Sequence, residues 1–238
     1  MRILTVCLGN ICRSPAAEAL PDQYVDPEGY WTGLPGRARV VLVNTDRVAL
    51  EQYPAGIEDL ADPAWGQHQV SMAYPIFGTT ATEAAAMYAW LGPEQALAFY
   101  KRLKAAGVRI VDGNATSRDL ISSGEVKAGL TDSDDAWGAV KRGAPVKIII
   151  PDQEDGGRGT LVIPGTVAMV KGGPNPEQAH ALIDYLVSEE VERKLLEAGF
   201  CQVPLRAHDA APDWLEVEKL RTMPVSFAEV FDQFERAQ

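Results

Sequence analysis

Apolar and polar positions alternate along this chain in two rhythms that trade places repeatedly. Short apolar runs of strand length occur at Arg2–Val6, Arg39–Asn44, Val70–Tyr74, Val108–Val111, Ala128–Thr131, Val146–Ile150, Leu161–Pro164 and Thr166–Val170. Between them lie segments with helical spacing. Ala84–Leu91 ends at Gly92-Pro93, and Pro93–Ala106 stops at Gly107. Thr80 and Glu83 have the spacing of a capping box, and Asn114–Ser117 opens a further helix with Asp119 three residues after Thr116. Pro176–Leu186 and Glu189–Gly199 read as amphipathic helices, and Pro212–Gln238 as a peripheral helical stretch. Asp62-Pro63-Ala64-Trp65-Gly66 reads as a turn, and Gly156–Gly159 as a flexible loop. Strands alternating with helices predict an α/β architecture.

Length and charge narrow the function. At 238 residues the chain is long enough for one large domain or two small ones. With 22 basic and 33 acidic side chains its net charge is −11, which disfavours nucleic acid and anionic membrane surfaces as partners. No apolar stretch reaches membrane-spanning length. Three cysteines, two of them close together, form no disulfide framework. Met1-Arg2 leads straight into a strand without a secretory pattern, so the sequence as written predicts a cytoplasmic protein.

The densest chemistry is at the start. Cys7-Leu8-Gly9-Asn10-Ile11-Cys12-Arg13-Ser14 is a Cys-x5-Arg loop between a strand-like run and the helix-like Pro15–Leu20. Backbone N–H groups and a helix N-terminus favour an oxyanion and a Cys7 thiolate there. Arg13 offers a bidentate fork, Asn10 shapes the turn, and Ser14 supports the thiolate. These residues resemble the N-terminus of the low-molecular-weight protein tyrosine phosphatases. The resemblance implies Cys7 as nucleophile, with Arg13 and Ser14 as its catalytic partners, and Asn10 and Arg13 as anion binders. It covers about 20 residues, and no aspartate follows at the place where that family keeps its acid.

A second resemblance covers most of the chain. Tyr30–Val40 with Asn44-Thr45-Asp46, Asp59–Gly66, Gly113-Asn114, Ser123–Val126, Pro174–Ala179 and Asp184–Glu190 follow the order found in ferric-ion-type periplasmic solute-binding proteins, the binding components of ABC importers. That resemblance implies a two-lobe periplasmic-binding-protein-like fold of type II. Residues 46–150 would form the complete second lobe. Residues 22–45 and 151–238 would form an incomplete first lobe with C-terminal helices, and residues 1–21 the phosphatase-like strand-loop-helix. A join near Leu20-Pro21 would produce such a chimeric pattern, and a half-built lobe would favour a homodimer through exposed sheet edges.

Candidate ligand-binding residues follow from both readings. Thr79 and Thr80, and Asn114, Thr116 and Ser117, place hydroxyls and free N–H groups at helix starts, where an oxyanion can sit; Thr79, Thr80 and Thr116 read more readily as plain N-caps. By resemblance Arg37 lies near the bound anion. Asp132, Asp134 and Asp135 stand where iron-binding relatives carry a tyrosine pair. The triplet suits a hard cation held through oxygen, a cationic or polyhydroxylated solute, or only a solvated turn and helix cap. No resident cofactor is expected. The expected partners are a small solute or ion, ferric iron included, and an ABC permease if the chain is exported. The alternative is phosphomonoester hydrolysis through a cysteinyl-phosphate.

Overall fold

The computed structural model describes residues 20, 24–26, 30–206 and 210–237. The chain divides into two compact units. One comprises Met1–Arg37 and Ile163–Val217, and the other Ala38–Val162 with Glu218–Gln238.

The larger unit is built on a sheet in the order β3-β2-β4-β1-β5. Its strands are β1 (Thr32–Asn44), β2 (Val70–Ala73), β3 (Arg109–Val111), β4 (Ala128–Asp132) and β5 (Val146–Ile149), and β6 (Val162–Val167) also pairs with β1. Strand β2 is parallel to both β3 and β4, whereas β1 runs antiparallel to β4 and β5. Val40, Val41, Leu42 and Val43 are all fully buried. A strand covered on both faces needs an unbroken apolar run rather than alternation, which is what this stretch of sequence supplies.

Each parallel strand is followed by a helix: β2 by α1 (Gly78–Leu91) and α2 (Pro93–Ala105), β3 by α3 (Asn114–Ser122), and β4 directly by α4 (Ser133–Lys141). Helix α1 has an alanine-rich buried face, with Ala81, Ala84, Ala85, Ala86 and Met87 at 2% exposure or less. Small side chains allow close approach of neighbouring elements, and the last helix of the chain, α7 (Phe227–Ala237), packs along α1. Asp62 caps the short 3-10 turn Pro63–Trp65 by accepting from the Ala64 N–H at 2.8 Å, so Asp62-Pro63 is a structural turn as expected.

The smaller unit contains α5 (Pro176–Leu186) and α6 (Glu189–Ala198). Met169, Ile183 and Val187 form one core cluster, backed by Leu34 and Val167, and Leu20, Tyr24 and Leu205 form another. Glu192 is buried on α6 and accepts from the backbone N–H groups of Leu205 and Arg206 and from the Arg206 side chain, which locks the returning chain onto the helix.

Several elements differ from the sequence reading. Strand β1 begins at Thr32 rather than Arg39 and carries the chain through the boundary between the units. The boundaries lie at Arg37/Ala38 and Val162/Ile163, not near residues 45 and 150, and the C-terminal helix belongs with the larger unit because it packs on α1. Strand β6 runs unbroken through Pro164-Gly165, where two strands were expected. Only Phe227–Ala237 of the C-terminal stretch is an α-helix. No helix among the described residues is long and apolar enough to cross a membrane.

Candidate functional site

Three strands end side by side in the larger unit, and a helix starts at each end. The β2–α1, β3–α3 and β4–α4 connections therefore gather three helix N-termini at the carboxyl edge of the parallel strands, where open α/β sheets place their ligands.

Arg39 organises this edge. It lies on β1 directly opposite Asp132 on β4 and is fully buried. Its Nη1 donates to Asp132 Oδ1 at 2.6 Å and to Asn114 Oδ1 at 3.2 Å. Its Nε and Nη2 both lie 3.0 Å from Glu83 Oε2. Thr79 Oγ1 donates to Asp132 Oδ2 at 2.7 Å, Asn114 Nδ2 reaches the same oxygen at 2.9 Å, and Thr80 Oγ1 donates to Asn114 Oδ1 at 3.2 Å. One guanidinium thus ties β1 to the first turns of α1 and α3 and to the last residue of β4.

The two carboxylates are served unequally. Asp132 receives donors from Arg39, Thr79 and Asn114, whereas among the described residues Glu83 receives only Arg39, and its Oε1 is buried without a hydrogen bond. Burial accordingly pushes the Glu83 carboxyl above its ordinary range, with the Arg39 charge opposing this. Burial alone would lower the Arg39 pKa, but the charges of Glu83 and Asp132 outweigh it and hold the guanidinium firmly protonated.

Of the sequence-predicted residues, Thr79, Thr80, Asn114 and Asp132 come together in this network. Thr80 and Glu83 do not form a capping box: α1 starts earlier, at Gly78, so both sit inside the helix and turn towards Arg39. Thr116 donates to Asp112 at 2.7 Å, and Ser117 is buried against Ser71, Oγ to Oγ at 2.8 Å. The acidic triplet spans the β4–α4 junction. Asp132 ends β4, and Asp134 and Asp135 lie in the first turn of α4, with ligand atoms of the three within 4.8 Å of one another. Asp135 pairs with Arg118 at 2.8 Å, and Arg118 also pairs with Asp119. Arg37 is half-buried and belongs to the smaller unit. Cys7, Asn10, Arg13 and Ser14 lie outside the described residues.

Sequence reasoning missed Arg39 and misread Glu83. The signal was present: an arginine inside the apolar run Ala38–Val43 must find carboxylates or leave the core.

The helix starts are not equivalent. Of the seven α-helices described, α1 and α3 alone carry no acidic residue in the first turn, in a chain of net charge −11. Helix α4 neutralises its own N-terminus with Asp134 and Asp135. Helices α1 and α3 bring no acid of their own; the Asp132 carboxylate at the end of β4 accepts from Thr79 and Asn114 between them.

The family model for bacterial extracellular solute-binding proteins matches residues 9–228. The chain belongs to that family. Among curated members, iron uptake protein A1 of Synechocystis sp. is 31% identical over 192 residues, covering 76% of this chain and 52% of that one. A Salmonella typhimurium periplasmic protein provisionally named for 2-aminoethylphosphonate binding is 26% identical over 167 residues, covering 68% and 48%. The chain therefore spans about half the length of these solute-binding relatives. Among solved structures, iron-bound HitA from Pseudomonas aeruginosa superposes with a TM-score of 0.82 at 21% identity, over 98% of this chain and 75% of that one, which shows the shared solute-binding-protein fold. The family match takes in Asn10, Arg13 and Ser14, and none of these relatives is a phosphatase. The family is extracellular by description, so the cytoplasmic expectation finds no support in it.

Proposed function

We propose that this protein is the solute-binding component of an ABC importer, and that its larger unit seats the oxyanion group of a small solute at the starts of α1 and α3. The observation that carries this is the pair of helix N-termini left without acidic residues while every other described α-helix has one. First-turn N–H groups have no intrahelical acceptor, and the helix dipole adds positive potential, so the pair favours a phosphate, phosphonate or carboxylate. Thr79 and Asn114 line this seat, with Thr80 buried behind them, and Arg39 bonds all three. The relative named for 2-aminoethylphosphonate agrees with that chemistry. An ABC permease is the partner this role requires.

A second reading, a ferric ion or other hard cation at Asp132, Asp134 and Asp135, is favoured by their closeness and by the relative named for iron uptake. Against it, Asp132 is engaged by three donors and Asp135 by Arg118.

Calorimetric titration with inorganic phosphate, 2-aminoethylphosphonate and ferric citrate separates the two. The first reading expects both phosphorus oxyanions to bind. It also expects Ala115→Asp, an exposed first-turn change on α3, to weaken them more than about tenfold without loss of stability. Binding of ferric citrate alone, or oxyanion binding untouched by Ala115→Asp, would refute it.

A further inference from the structure

Beside the proposed seat the chain exposes an apolar step that packing does not require. Tyr74, Ile76 and Phe77 are 49%, 42% and 55% exposed, three large apolar side chains within four residues. They fill the β2–α1 connection, and the Tyr74 N–H donates to Val111 O at 2.8 Å, which fixes the segment beside the end of β3 and the start of α3. Phe77 holds the N-cap position of α1 with extended backbone and makes no cap bond. Serine, threonine, asparagine or aspartate at that position would satisfy an orphan N–H that phenylalanine leaves open.

Gly113 gives an independent sign that this edge is kept clear. It is the N-cap of α3, with φ −170° and ψ 164°, extended backbone that any residue adopts. A Cβ there would meet nothing within 4 Å. Neither backbone nor packing calls for glycine, and a side chain at this point would stand over the helix start. Gly78, the first residue of α1, also faces open space, but its φ of +62° accounts for the glycine there, so Gly113 alone carries this sign.

We infer that the solute is an organic oxyanion rather than an inorganic ion, with its acid group at the starts of α1 and α3 and its carbon part lying against Tyr74, Ile76 and Phe77. The inference rests on the oxyanion reading above and adds what the rest of the solute must be: a group with an apolar or ring face. Covering the step removes exposed apolar surface from water, and phenylalanine at the N-cap then has a reason to be there.

The test compares inorganic phosphate with phenyl phosphate by calorimetry, on the whole chain and on Phe77→Ser. In the parent protein phenyl phosphate binds about tenfold or more tighter than phosphate, the size expected for covering one exposed aromatic face. In Phe77→Ser that ratio falls towards one while the melting temperature holds or rises, because serine is the better N-cap. Equal affinities in the parent, or a ratio within about twofold of the parent's in Phe77→Ser, overturn the inference while leaving the oxyanion seat standing. If neither ligand binds, the seat itself is wrong and the inference falls with it.

Discussion

Replacing Arg39 by methionine removes the cation that pairs directly with both carboxylates of a buried cluster. Methionine fills much of the same space, so the loss is electrostatic rather than a cavity. Arg39 reaches Asp132 at 2.6 Å, Glu83 at 3.0 Å, Asn114 at 3.2 Å and Thr79 at 3.3 Å. Asp132 keeps Thr79 and Asn114 as donors, but Glu83 keeps none. Breaking a buried pair by removing one partner costs about 3–5 kcal/mol, because the remaining charge stays desolvated. Against a whole-protein stability of about 5–15 kcal/mol, this is a large fraction. With a urea slope of about 2 kcal/mol per M, the midpoint falls by roughly 2 M. The triple change Arg39→Met, Glu83→Gln, Asp132→Asn carries no buried charge and recovers at least half of that loss. Urea unfolding followed by far-UV circular dichroism reads all of these. A midpoint for Arg39→Met within about 0.5 M of the parent refutes the reasoning, as does a triple variant no more stable than the single one.

Further outcomes follow from other parts of the molecule. Glu83 has a folded-state pKa raised above its ordinary 4.5 by burial, so its contribution to stability is present below about pH 4.5 and lost as pH rises through the raised value. Glu83→Gln removes that decline, so its stability relative to the parent grows as pH rises above about 4.5 in urea titrations; a difference flat with pH contradicts the assignment. Gly129→Ala places a Cβ 2.7 Å from Ser71 Oγ and 3.0 Å from Ser117 Oγ on the β2–β4 pair, and destabilises by about 1–3 kcal/mol; an unchanged melting temperature argues against so tight a pairing. Ser188 caps α6 by accepting from the Val191 N–H at 3.4 Å, and Ser188→Ala costs about 1 kcal/mol, read as a lowered urea midpoint.

Much of the fold was legible in the sequence, and the reasons are local. Pro176–Leu186 and Glu189–Ala198 occur where the apolar spacing put them, because each helix has its own stop or cap in the adjoining residues. The apolar run at Val40–Val43 announced a strand covered on both faces. Strand β6 was not legible as one element, because Pro164-Gly165 is a turn signal that the pairing with β1 overrides. The true start of α1 was hidden for a related reason: Phe77 and Gly78 are poor start residues, while Thr80 and Glu83 imitate a capping box and in fact serve Arg39.

The candidate site divides along the same line. Sequence alone singled out Thr79, Thr80 and Asn114 as hydroxyls and amide at helix starts, because the residue types that suit a helix N-terminus are set by backbone chemistry within a few positions; Asp132 was singled out by resemblance. It also determined the strongly acidic balance, which makes an acid-free helix start informative. That Arg39 joins these residues was decided by tertiary structure: it lies 93 positions from Asp132 and 44 from Glu83, and only the antiparallel register of β1 with β4 brings them together. The same holds for the acidic triplet. Its sequence suited a hard cation, a polar solute or a plain turn and helix cap, and only the fold pairs Arg39 with Asp132 and Arg118 with Asp135.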